Sequence, residues 1–281
     1  MTADVRIDAL LPAEMARRAE YLGVRKAEAP LLATFTLSVL AGAFIALGAI
    51  FATTVAAGTS GVVPYGVARL LMGSVFSLGL ILVVVGGAEL FTGNNLIVMA
   101  WASRKVGLTA LLRNWLVVYL GNFVGALGTA GLVVLSRQYT FGGGSVGAAA
   151  LSIAHAKLGF TFVQALALGI LCNALVCLAV WLSFSARSTV DRIVAIVFPI
   201  AAFVAAGFEH SIANMYFVPV ALFIKAFDPA FVAASGLDVS GMSWPAFLTA
   251  NLIPVTLGNI IGGSLLVAVT YWFVFLRGAQ S

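Results

Sequence analysis

The chain has 281 residues, of which 62% are hydrophobic and 9% charged, and its mean hydropathy is +1.10. A water-soluble domain is about half apolar and a quarter charged, so a soluble globule is excluded. The net charge of +5 forms no basic stripe to neutralise phosphates, which removes nucleic-acid binding. An apolar segment of about 20 residues crosses a bilayer, so the chain reads as one polytopic membrane domain over residues 1–281.

Residues 1–28 mix Asp4, Asp8, Glu14, Glu20 and Glu28 with Arg6, Arg17, Arg18, Arg25 and Lys26. A cleaved signal needs a basic start and an uninterrupted apolar core, which this segment lacks. Ile7 to Leu22, with Pro12 near its start, predicts a cytoplasmic amphipathic helix on the membrane surface or against a neighbouring subunit.

Apolar blocks follow at 31–57, 66–100, 111–136, 160–184, 192–224 and 247–276. The second and fifth exceed the ~25 residues of a tilted span. Each carries a polar interruption, Glu89-Leu90-Phe91-Thr92-Gly93-Asn94-Asn95 and Glu209-His210-Ser211-Ile212-Ala213-Asn214. Six transmembrane helices, with helices two and five broken, account for this all-α pattern. Six spans place 11 of the 15 Lys and Arg residues on the side of the termini, leaving Arg69, Arg137, Lys157 and Lys225 on the other. That bias puts both termini in the cytoplasm. Cys172 and Cys177 lie on different faces of one apolar block and read as small buried side chains.

The chain also repeats itself. Residues 114–125 and 251–262 agree at six of twelve positions: Asn114/Asn251, Val118/Val255, Leu120/Leu257, Gly121/Gly258, Asn122/Asn259 and Gly125/Gly262. The broken blocks align on Gly87-Ala88-Glu89 and Gly207-Phe208-Glu209. Three spans per half force residues 29–137 and 158–277 to be upside down relative to each other. Inverted repeats with paired breaks place a transport site where the breaks meet.

Glu89 and Glu209 are the two carboxylates within spans. Intramembrane ionisable groups are functional candidates, but a carboxylate can also accept from backbone N–H groups freed at a break, and that structural clamp is the favoured reading. His210 is the side chain able to exchange a proton near neutral pH. Asn122, Asn259, Thr92, Asn94 and Asn214 are uncharged groups available to orient it or touch a solute. The pairs Gly121/Gly125 and Gly258/Gly262 predict close helix packing. Lys157 stands at the outer mouth, where a lysine attracts anions or is merely solvated. The glycines at 142–144 lack a following Lys-Ser or Lys-Thr and read as a flexible loop. No catalytic triad, metal-ligand cluster or dinucleotide fingerprint is present, so neither a metal nor a cofactor is expected.

At Gly207-Phe208-Glu209-His210-Ser211-Ile212-Ala213-Asn214-Met215-Tyr216 the sequence resembles the formate/nitrite transporter family. The likeness extends through Glu89-Leu90-Phe91-Thr92-Gly93-Asn94, Asn114-Trp115, Gly121-Asn122 and the segment 251–259, and covers the chain from Leu10 to Arg277. The stretches 76–82 and 175–187 are most similar to the bacterial formate channel branch, whereas the outer 3–4 and 5–6 loops depart from it. The resemblance implies an aquaporin-like fold of six helices, assembled as a homopentamer in the inner membrane with one pore per protomer. It further implies a substrate pathway of His210, Thr92, Asn259, Glu209, Asn173 and Lys157. The cytoplasmic constriction becomes Leu80 with Phe76 and Phe91, the periplasmic one Phe203, and the N-terminal segment acquires a role in gating. The expected partners are formate and protons within a lipid bilayer. Nitrite is the nearest alternative, then hydrosulfide, acetate or lactate, and an integral-membrane enzyme using His210 and Glu209 is the remote one.

Overall fold

The structure is a computed structural model that describes residues 9–280, with Ile7 and Asp8 of the expected N-terminal helix outside that range. All regular structure among the described residues is helical. Helix α1 (Pro12–Glu28) begins on a proline, whose missing N–H costs nothing in a first turn, and ends with Arg25 and Lys26 beside its negative pole. It buries Met15, Ala16, Ala19, Glu20, Gly23 and Ala27. That face packs on Ile97, Val98 and Ala100 of its own chain. Gly23 makes the fit possible, since a Cβ there would stand 3.1 Å from the Ala100 methyl.

The long elements are α2 (Leu31–Ala56), α3 (Tyr65–Gly86), α5 (Leu108–Leu135), α7 (Phe162–Ser183) and α11 (Trp244–Phe275), each long and apolar enough to cross a membrane. Between α3 and α5 lies the short α4 (Val98–Ala102), preceded by a 3-10 turn at Gly93–Ile97. Between α7 and α11 lie α8 (Thr189–Ala205), α9 (Ser211–Phe227) and α10 (Pro229–Ser235). Helices α9 and α10 meet at a bend of 107°.

Close approach of glycines sets the two principal crossings. A Cβ on Gly125 would run into the Val39 carbonyl of α2, and one on Gly262 into the Ile170 carbonyl of α7. Packing is therefore what the small-residue spacing serves. The 142–144 segment is a defined turn instead of a flexible loop: its glycines take φ of 61°, 63° and 88° and lead into α6 (Ser145–Leu158). Only glycine adopts three such angles without strain. Gly144 N–H also bonds back to the Thr140 carbonyl.

Candidate functional site

Two chain breaks meet inside the helical body, and they are bonded alike. Helix α3 ends on Gly87 at φ 79°, and α8 is followed by Gly207 at φ 78°, left-handed turns that redirect the chain. Beyond them, Glu89 N–H reaches the Leu37 carbonyl and Glu209 N–H the Leu168 carbonyl, at 3.2 and 3.3 Å. The freed backbone is clamped by asparagines. Asn122 Oδ1 accepts from Phe91 N–H at 2.9 Å while its Nδ2 donates to the Ser38 and Glu89 carbonyls. Asn259 Oδ1 accepts from Ser211 N–H at 2.9 Å while its Nδ2 donates to the Gly169 and Glu209 carbonyls. Both are fully buried with every polar atom satisfied, so the clamp expected of the carboxylates belongs to Asn122 and Asn259.

The carboxylates bind side chains instead. Glu89 accepts from Asn94 Nδ2 at 2.7 Å and from Lys26 Nζ at 3.0 Å. Glu209 accepts from Asn214 Nδ2 at 2.7 Å and from Lys157 Nζ at 2.7 Å. Asn114 and Asn251 complete each set: their Oδ1 atoms accept from Asn94 and Asn214, and their Nδ2 atoms donate to the carbonyls of Lys26 and Lys157. Lys157 is thus neither lone nor solvated. Its side chain is 14% exposed, ion-paired, and 5.3 Å from the Phe217 ring centre.

His210 caps α9: its Nδ1 accepts from Ala213 N–H at 3.0 Å. A neutral ring accepting at Nδ1 carries its proton on Nε2, which therefore donates to Thr92 Oγ1 at 2.9 Å. Protonating Nδ1 would set two N–H groups against each other. This geometry holds a neutral histidine.

A cavity of about 680 Å³ lies on the His210 side, walled among others by Phe76, Phe203, Gly207, Glu209, His210 and Lys157. A smaller one of about 220 Å³ is walled by α1 through Ala19, Leu22, Gly23 and Lys26, and by Leu80, Val83, Glu89 and Leu90. Phe76 meets Phe203 edge-on at 5.7 Å, and Phe203 lies over His210 at 5.9 Å. Phe76 thus faces the larger cavity, while Leu80 faces the smaller. Phe91 packs on Trp115 and Tyr119 at 6.0 and 4.9 Å and stands on neither wall. Asn173, expected on the pathway, is fully buried and bridges Asn95 Oδ1, the Asn259 carbonyl and the Thr92 carbonyl. Cys177 Sγ also donates to the Thr92 carbonyl, and both cysteines are buried and free.

Lys26 entered the sequence reading only as a charge of the N-terminal segment, and Arg69 only in the count of cations on either side of the membrane. Lys26 precedes its glutamate by 63 residues, against 52 for Lys157, so no constant spacing announces the equivalence.

The sequence profile described as formate/nitrite transporter matches residues 13–273. The chain is 50% identical to the formate channel FocA of Escherichia coli K12, over 99% of this chain and 98% of that one. It is 41% identical to the Haemophilus influenzae formate channel FocA over 93% of each chain. Among solved structures, it superposes on a pentameric formate channel with formate bound at TM-score 0.82 and 46% identity, covering 88% of this chain and 98% of the other. The chain belongs to the formate/nitrite transporter family.

Proposed function

We propose that the chain forms a homopentameric channel conducting formate across the bacterial inner membrane, crossing its narrowest part as the neutral acid. The observation that carries this reading is the neutral His210–Thr92 pair between two cavities, each walled by a Lys–Glu pair that buried asparagines hold in place. An idealised carboxylate entering a low-dielectric medium costs on the order of 20 kcal/mol, several of which remain after relaxation. Protonating an acid of pKa ~4 at pH 7 costs about 4 kcal/mol. Neutralisation is the easier route past Phe203, Phe76 and Leu80, with the proton drawn from water in the cavity. Thr92 accepts from His210, which leaves its own hydroxyl proton for the passing oxygen. Asn259 and Asn122 hold the breaks in register and Glu209 holds Lys157; these residues position the site. Asn173 ties Thr92 to Asn259.

The proposed topology has six spans, with α3–α4 as the second and α8–α9 as the fifth, each broken. Both termini are cytoplasmic, so the larger cavity is the outer vestibule and the smaller one the inner. The bonding at Glu89 and Glu209 supports two inverted repeats, and it extends each by one helix, α1 beginning the first and α6 the second. Formate uptake by proteoliposomes, compared with nitrite and with protein-free liposomes, tests the substrate. Formate entry well above the lipid background is expected. Nitrite flux without formate flux would make nitrite the substrate.

A further inference from the structure

The outer vestibule needs a source of positive potential, and Lys157 does not supply one, because Glu209 neutralises it at 2.7 Å. Among the described residues, Arg69 is the one cation on that cavity wall without a carboxylate partner. It rises from the start of α3 to the far end of α8. Its Nε donates to the Ala205 carbonyl at 3.3 Å and its Nη2 donates to the Val204 carbonyl.

Those carbonyls are the negative pole of a 17-residue helix, worth roughly half an elementary charge. Gly207 N–H shares the Val204 carbonyl at 3.1 Å, but without Arg69 no charge would offset this pole beside Phe203, and it would repel an approaching anion. The other break is different. Among the described residues no side chain donates to the last carbonyls of α3, and the charges on the inner cavity wall are Lys26 and Glu89, which pair. In the repeat register that aligns Gly87 with Gly207, Thr189 stands where Arg69 would be. The two vestibules thus match in their Lys–Glu–Asn sets and differ by one cation.

We propose that Arg69 is the specificity-determining cation of the outer vestibule: it cancels the negative end of α8 and leaves net positive charge beside Phe203 and His210, gathering small monovalent anions there. This inference rests on the transport reading above. It acts on the supply of anion to the constriction and leaves the step at His210 unchanged.

The test is initial formate uptake against formate concentration in proteoliposomes, at about 10 mM and about 300 mM ionic strength, for wild type, Arg69→Gln and Arg69→Lys. Arg69→Gln should raise the half-saturating concentration about three- to tenfold at low ionic strength, with maximal flux within about twofold. The gap should close at high salt, and Arg69→Lys should restore most of the loss. An unchanged half-saturation in Arg69→Gln overturns the inference, as does an equal loss in both variants at both ionic strengths. Should Arg69→Gln not assemble, wild type alone decides: its half-saturation must rise with salt, and salt independence overturns the inference. Absence of formate uptake by wild type would instead overturn the transport reading, a separable result.

Discussion

At the scale of the residue, the site is governed by which hydrogen bonds remain possible. His210 uses Nδ1 to cap α9 and Nε2 to bond Thr92. His210→Asn preserves an acceptor for Ala213 N–H and removes the donor to Thr92. Formate flux in liposomes should fall about tenfold, the equivalent of one net hydrogen bond near 1.4 kcal/mol, and pH dependence and anion discrimination should weaken. Survival of both would exclude the histidine from the pathway. Asn259→Ala tests a different role, because it strands Ser211 N–H and the Glu209 carbonyl in a buried place. Each unsatisfied group costs about 1–3 kcal/mol. The pentamer should melt well below wild type, and Asn122→Ala should behave alike because its bonds are the same. An unchanged melting temperature in either variant would contradict the clamp.

Glu89, Glu209, Asn122 and Asn259 were legible in the sequence as paired positions, because the two halves of the chain share local motifs. Their division of labour was not legible. A carboxylate and an amide are both plausible partners for freed backbone, and only distances separate them. Arg69 was invisible for a related reason: its partners are backbone carbonyls, which leave no trace in side-chain identity.

At the scale of the element, α1 is a wall of the smaller cavity. Its amphipathic pattern was readable, but periodicity names a buried face without naming what covers it. Gly23, which admits Ile97 and Ala100, decides that the cover is the same chain. Deleting residues 1–22 should remove Ala19 and Leu22 from the cavity wall, leave the pentamer intact by size-exclusion chromatography, and alter formate gating. Wild-type gating in that variant would deny α1 its role.

The connections that follow α5 and α9 are tied by Tyr139, whose hydroxyl donates to Asp228 Oδ2 at 2.8 Å, with Arg137 3.5 Å away. The Tyr139 bond, the Phe231 N–H and the Arg137 charge hold the Asp228 carboxyl below its ordinary range. A depressed carboxylate stabilises the fold above its unfolded pKa and loses that contribution as pH falls through the folded one. The tie should persist through neutral and mildly acidic pH and fail only below the usual carboxylate range. Hydrogen exchange at 137–140 should increase there in wild type, while Tyr139→Phe should show the increase already at neutral pH. Protection that is equal in the two proteins at every pH would contradict it.

At the scale of the whole molecule, composition alone excludes a soluble fold, and the polar interruptions mark where the helices break. The long crossings followed from Gly121, Gly125, Gly258 and Gly262, whose spacing encodes close packing. Which aromatic ring faces which vestibule did not follow. Phe76 and Leu80 lie four residues apart on α3 and were read as one constriction, yet the helix is long enough to give each its own cavity. Phe91 sits past the break, where helical spacing no longer reports direction.

The central claim is that formate crosses as the neutral acid past a neutral histidine. The most direct measurement records internal pH and formate uptake together in proteoliposomes while the membrane potential is clamped at different values. Formate entry should carry one acid equivalent per molecule above the lipid background and be insensitive to voltage. Formate entry that follows the voltage without acidifying the interior would show the bare anion crossing, and would contradict the claim.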